Sequence, residues 1–221
     1  MAIRGVAFDL DETLAVPSRD RTTLLGEAVA LAGGPPITRE EYLDAHRENL
    51  TQQTREPIFA DLLARYEESQ ADAKSLADAY RQVVTKSLSP VGGSAALIEE
   101  LKTNYRVGLL TNGPIDAQRA KLEHLGWTEL FHAALVTGEL PAGKPDSAAF
   151  EALLSALGTN ANETVYVGDT PLDDIKGATE AGLFAVQVRF EDGPDRDPRA
   201  DAYIDRDRLA LELPALLASI D

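Results

Sequence analysis

Several polar residues stand out because each follows directly on an apolar run. Asp9 and Asp11 close one run in Phe8-Asp9-Leu10-Asp11-Glu12-Thr13, and Thr111 and Asn112 close another in Leu109-Leu110-Thr111-Asn112-Gly113. Asp169 closes a third in Val167-Gly168-Asp169-Thr170, with Asp173 and Asp174 shortly after it. Gathered in one place, these carboxylates would repel one another: two unit charges ~4 Å apart cost about 4 kcal/mol at an effective dielectric near 20. Such a cluster therefore calls for a cation. An all-oxygen set without His or Cys suits a hard divalent ion, magnesium before zinc or copper. Lys144, in Ala142-Gly143-Lys144-Pro145-Asp146, could bring a second positive charge. Thr111 offers a hydroxyl, and the Asn112-Gly113 backbone offers N–H donors for phosphate oxygens. Cation, lysine, hydroxyl and amides together describe a phosphoryl site.

The elements that must position these residues can be read from the apolar pattern. Ile3 to Leu10 is a compact run expected of a buried parallel strand, and similar runs cover 105–110, 164–167 and 183–188, with a weaker one at 133–136. Helical segments alternate with them at about 94–103, 114–125, 146–157 and 172–181, and Gly126, Gly158 and Gly182 sit where a helix should stop. This alternation predicts an α/β fold, a Rossmann-like open parallel sheet. In such sheets ligands bind outside the carboxyl ends of the strands, so three strands deliver polar groups to one edge.

Residues 16–89 break the rhythm and read as helices only, roughly 21–32, 39–50, 56–68 and 72–88. Thr38 with Glu41 forms a capping-box pattern at the start of the second. Leu62, Leu63, Tyr66, Leu76, Tyr80, Val83, Val84 and Leu88 recur at helical spacing, as contacts between these helices require. The expected organisation is an α/β core over 1–15 and 90–221 with a small inserted all-α cap over 16–89. A short strand near 202–204 and a helix over 208–219 complete the chain.

Bulk composition narrows the function. A length of 221 residues suffices for one large domain or one domain with an insert. The formal net charge of -16 repels a nucleic-acid backbone, so no nucleic-acid partner is expected. With no cysteine, disulfides, thiolate nucleophiles and zinc–thiolate sites are excluded. The apolar segment at residues 1–8 is too short for a secretory leader, and no later stretch is long enough to cross a bilayer. The expectation is a soluble cytoplasmic protein without a membrane partner, acting as a monomer or homodimer.

With these residues in place, the sequence closely resembles the haloacid dehalogenase (HAD) superfamily, phosphatase branch. Asp9, Asp11 and Thr13 match its Asp-x-Asp-x-Thr motif, Thr111 its strand-ending Ser or Thr, and Gly143-Lys144-Pro145 its lysine motif. Gly168-Asp169 with Asp173-Asp174 matches its last, acidic motif. Asp-x-Asp-x-Thr alone would be weak in an acidic chain; the ordered set on strand ends is specific. The resemblance implies magnesium-dependent hydrolysis of a small phosphorylated metabolite through an aspartyl-phosphate on Asp9. It makes Asp9 nucleophile and metal ligand, and Asp11 the acid and then base, with its carbonyl on the metal. Thr111 and Lys144 would be catalytic and bind the phosphoryl group, with Thr13 and Asn112 among the substrate-binding residues. Asp169 would be the third protein contact to magnesium, and Asp174, ahead of Asp173, the further acid. A carboxyl acting first as acid and then as base needs a pKa raised toward working pH. An insert at this place corresponds to one cap class of the family, a lid over the site.

Plainer readings exist for each position. Asn-Gly is a common turn pair, a lone lysine is most often a surface residue, and Asp173 and Asp174 suit a helix N-terminus. Arg19, Arg47, Arg55, Gln52 and Gln53 read as a solvated face, and His46, His124 and His132 show no ligand spacing. Trp127 reads as packing at a helix end. Two other activities share the resemblance: a phosphomutase of the β-phosphoglucomutase type, and a 2-haloacid dehalogenase, which needs no metal and against which Asp11 argues. A non-enzymatic HAD-like binding protein is disfavoured because every motif position is kept.

Overall fold

The computed structural model describes residues 2–66 and 69–220. In chain order the elements are β1 (Gly5–Phe8), β2 (Ala15–Pro17), α1 (Arg21–Leu31), α2 (Arg39–Glu48), α3 (Glu56–Leu63), α4 (Ala73–Ser87) and β3 (Leu88–Pro90). They continue with α5 (Ser94–Leu101), β4 (Arg106–Thr111), α6 (Ile115–His124), β5 (Ala133–Val136), α7 (Ser147–Leu157) and β6 (Thr164–Gly168). A π-helical turn (Pro171–Lys176) leads into α8 (Gly177–Glu180), followed by β7 (Phe184–Arg189), β8 (Ala202–Asp205) and α9 (Leu209–Ile220).

Six strands form one parallel sheet in the order β5-β4-β1-β6-β7-β8. β1 lies between β4 and β6, with Phe8 level with Leu109 on one side and Val167 on the other. Beyond this level β1 ends at Phe8, β6 at Gly168 and β4 at Thr111, so the three strands run out at the same edge of the sheet. Alternate side chains of each strand face opposite layers. Val6, Phe8, Val107, Leu109, Val165 and Val167 pack against α5, α9 and Trp127, which is buried just past the end of α6 as expected. Ala7, Leu110, Tyr166 and Ala185 pack against α7 and α8. The α/β expectation holds, and the predicted strand at 133–136 coincides with β5. Gly158 ends α7 at φ 68°, and Gly182 precedes β7 at φ 82°.

Helices α1 to α4 bury a separate apolar cluster that includes Leu24, Ile58, Phe59, Leu62, Leu76, Tyr80 and Val84. The capping box at Thr38 and Glu41 is present in full. Three expectations need correction. Residues 16–89 are not helical throughout, because β2 and β3 pair antiparallel where the chain leaves and re-enters the sheet. Leu88, at the start of β3, packs into the sheet core rather than between the helices. The helix expected over 172–181 is divided into a π turn and the short α8, since Ile175 N–H donates to Thr170 O at 3.2 Å, five residues back. α3 ends at Leu63, and the last two residues of the helix expected over 56–68 lie outside the described residues.

Candidate active site

β1 reverses the order of connection in the sheet. The chain steps from it to β4 and β5 on one side, then to β6, β7 and β8 on the other. The crevice at such a switch point is where open α/β sheets bind ligands. Asp9 sits there, 6% exposed, with its backbone N–H donating to Val167 O at 2.9 Å. Beyond it the chain turns tightly: Leu14 and Ala15 both donate to Leu10 O, and Glu12 takes a left-handed φ of 62°. That turn presents Asp11 to the same crevice.

Asp9, Asp169 and Asp174 each place a carboxylate oxygen within 4.8 Å of the others, and all three are buried. Lys144 lies against this group, 2% exposed, its Nζ 2.7 Å from Asp9 Oδ1 and 2.6 Å from Asp174 Oδ1. It also donates to Tyr166 OH at 2.9 Å. The Lys144 segment is held by Asn112, whose side chain accepts from Lys144 N–H and donates to Lys144 O, both at 2.9 Å. The π turn explains why Asp174 rather than Asp173 joins the trio. One extra residue per turn carries Asp174 inward to 1% exposure and leaves Asp173 at the rim, accepting from Asn112 at 3.3 Å. Gly168 makes room for it, since a Cβ there would lie 2.4 Å from Asp174 Cγ.

The electrostatics expose an excess of buried negative charge. Burial raises Asp9 to about 7; Lys144 pulls it down, while Asp174 and Asp11 push it up. Asp169 is raised well above the carboxylate range by burial, with Asp174 and Asp9 adding to the effect. Lys144 is raised well above its usual value: burial opposes its charge, but Asp174 and Asp9 outweigh burial. One lysine thus leaves part of the carboxylate charge uncompensated. The donor set is all oxygen, as a hard divalent cation requires, and the three aspartates could hold one.

Asp11 departs from expectation. Burial would raise it, but Lys121 and Arg21 hold it well below the usual carboxylate range instead. Arg21 from α1 lies 2.7 Å from Asp11 Oδ1, while Lys121 and Gln118 from α6 bond the other oxygen. In this state Asp11 is an ionised, clamped carboxylate rather than a poised acid. Two further residues differ from their predicted places. Thr13 is fully buried, does not line the cavity and donates to Asp169 Oδ1 at 3.2 Å, so it orients a carboxylate. The Gly113 N–H, expected to face a ligand, donates to Thr137 Oγ1.

A cavity of about 560 Å³ opens over this edge, lined by Asp9, Asp11, Thr111, Asn112, Lys144, Asp169, Asp173 and Asp174. The opposite wall comes from the helical segment and includes Arg39, Tyr42, His46, Arg55 and Tyr80. Sequence reasoning missed Arg21, Gln118 and Lys121, and it assigned Arg55 to a solvated face although that residue is only 7% exposed. A signal for Lys121 was present: it stands beside Leu122 and one turn after Ala117, on the buried stripe of α6.

Residues 3–182 match the family model of haloacid dehalogenase-like hydrolases, and the chain belongs to that family, on its phosphatase side. It is 37% identical over 147 residues to the phosphoserine phosphatase of Thermus thermophilus, a match spanning 66% of this chain and 58% of that protein. It is 33% identical over 181 residues to a phosphoglycolate phosphatase of Cereibacter sphaeroides, covering 81% of this chain and 82% of the relative. Among solved structures, the 2-haloacid dehalogenase of Pseudomonas syringae pv. Tomato DC3000 superposes with a TM-score of 0.67 at 26% identity, over 99% of this chain and 100% of that one. Among the described residues no helix is long and apolar enough to cross a membrane.

Proposed function

We propose that the protein hydrolyses a small phosphomonoester in two displacements through a phosphorylated Asp9. The observation that carries this reading is the convergence of Asp9, Asp169 and Asp174 around Lys144 at the switch point of the sheet. The relatives named for phosphoserine and phosphoglycolate support a small phosphorylated substrate. Asp9, Asp169 and Asp174, with the Asp11 carbonyl, would hold magnesium. When bound, the ion neutralises these carboxylates and draws charge from the phosphoryl oxygens.

Asp9 attacks phosphorus in line; its bond to phosphorus forms as the bond to the leaving alcohol breaks. Lys144 favours the ionised form of Asp9 against its burial and, with the Thr111 hydroxyl, holds phosphoryl oxygens. Thr111 is fixed for this role by Gln118, which donates to its Oγ1 at 2.6 Å. Asp11 takes up a proton from solvent as substrate binds and gives it to the departing alcohol. Water then attacks the phosphorylated Asp9, Asp11 takes the water's proton, and inorganic phosphate leaves. Covalent catalysis of this kind replaces one hard displacement by two easier ones. Arg21 and Lys121 make the acid role conditional. An arriving phosphate dianion competes for both cations, and once they turn to it the charge that keeps Asp11 ionised is withdrawn. The helices of 16–89 act as a lid that excludes water from the closed site.

The expected result is magnesium-dependent hydrolysis of p-nitrophenyl phosphate that Asp9→Asn abolishes while thermal unfolding remains cooperative. Turnover that is indifferent to chelation, or retained in Asp9→Asn, overturns the proposal.

A further inference from the structure

The proposed hydrolysis gives the helical segment a lid and the Arg21 clamp on Asp11 but leaves Arg39 and Arg55, which make the facing wall of the cavity cationic, without a role. Arg55, immediately before α3, is 7% exposed and faces the cavity. Its Nε donates to Tyr42 OH at 2.9 Å, its guanidinium lies 5.2 Å from the centre of the Tyr80 ring, and its buried Nη1 has no hydrogen-bond partner among the described residues. Arg39 mirrors it: the guanidinium lies 5.3 Å from the centre of the Tyr42 ring and donates to Tyr80 OH at 3.2 Å. The two rings meet edge to face at 5.0 Å. Among the described residues neither arginine has a carboxylate partner within ion-pair distance, in a chain whose net charge is -16. None of the cavity-lining residues of α2 and α4 is acidic.

A buried guanidinium with an unsatisfied N–H is costly unless something that enters the site completes it. The tyrosine rings and hydroxyls fix both planes in advance, so little side-chain freedom is lost when an anion arrives. A planar fork held in this way matches a two-oxygen anion. The transferred phosphoryl group already has its partners on the sheet edge, opposite this wall. We propose that Arg55 and Arg39 bind a second anionic group, a carboxylate or a second phosphate, carried by the leaving alcohol. The substrate class is then a small phosphomonoester of an anionic alcohol. This inference rests on the phosphatase reading above and assigns its specificity.

The test compares kcat/KM with magnesium for 2-phosphoglycolate, 1,2-ethanediol bisphosphate and 2-hydroxyethyl phosphate, esters of one length whose far ends are a carboxylate, a phosphate and a neutral hydroxyl. One anionic ester is expected to exceed the neutral one on the order of 10²-fold, the worth of one to two charge-assisted hydrogen bonds, and its identity names the anion. In Arg55→Gln that ratio falls about tenfold or more, chiefly through KM. Arg55→Lys and Arg39→Gln, checked by thermal melting, give the same readout if Arg55→Gln does not fold. A wild-type ratio near unity overturns the inference without any variant. Equal loss on all three esters in the variants also overturns it, because the arginines then hold the transferred phosphoryl group. p-Nitrophenyl phosphate separates the two levels. Its turnover alongside a flat ratio removes only the specificity, whereas no hydrolysis of any ester removes the phosphatase reading and this one with it.

Discussion

Replacing Lys144 by methionine keeps the length of the side chain and deletes its charge. The ammonium sits 2.7 Å from Asp9 and 2.6 Å from Asp174, is 2% exposed, and faces a third carboxylate whose ligand oxygen lies within 4.8 Å of the other two. Removing one partner of a buried ion pair costs about 3–5 kcal/mol, because the remaining charge stays buried without compensation. In a chain of this size about 1 kcal/mol shifts the melting temperature by ~2–4 °C, so metal-free Lys144→Met should melt on the order of 10 °C lower. Magnesium at ~100 times its dissociation constant stabilises a protein by about 2.7 kcal/mol, and the variant should gain more than the wild type because the ion replaces the missing charge. Thermal melts of both proteins at pH 8, in chelator and in saturating magnesium, measure both quantities. A metal-free loss below about 1 kcal/mol, or equal increments from magnesium, would refute the electrostatic picture of the site.

Other perturbations probe separate parts. Gly168→Ala places a Cβ 2.4 Å from Asp174 Cγ, so Asp174 must move. Overpacking of this kind costs about 1–3 kcal/mol, and the magnesium concentration for half-maximal activity should rise, as a metal titration of activity will record. Asp9→Asn tests the raised pKa of about 7. A carboxyl whose folded pKa lies above its ordinary value weakens the fold as pH rises from near 4 through 7. Metal-free Asp9→Asn should therefore gain stability relative to the wild type across that window in chelator melts, and a constant difference would count against the shift. Lys121→Gln removes a cation that keeps Asp11 ionised. The limb of the pH–rate profile that reports Asp11 should move to higher pH.

The strand-end motifs were legible because period and position act together. A parallel strand buried on both faces must be apolar, so a polar residue directly after it marks the crevice. Register does the rest, since aligning Phe8 with Leu109 and Val167 brings Asp9, Thr111 and Asp169 to one edge. The parts that escaped depend on how helices dock. Arg21, Gln118 and Lys121 reach Asp11 only through the placement of α1 and α6 over the sheet edge. Arg55 looks like a surface residue in the sequence because nothing nearby shows that Tyr42 and Tyr80 will enclose it. The π turn was invisible for a related reason: both aspartates fit a helix start, and the motif spacing that ranks Asp174 first does not show the backbone geometry that carries it inward. Thr13 matches its motif but is spent on Asp169, a distinction between orienting and binding that a motif does not encode.

The proposed hydrolysis depends on covalent chemistry at one carboxylate. Rapid acid quench of enzyme turning over a phosphomonoester with magnesium, followed by borohydride reduction and peptide mass spectrometry, reads that chemistry directly. The predicted result is homoserine in place of Asp9 and at no other position, dependent on substrate and absent in Asp9→Asn. A reduced residue elsewhere, or none while turnover proceeds, would contradict it.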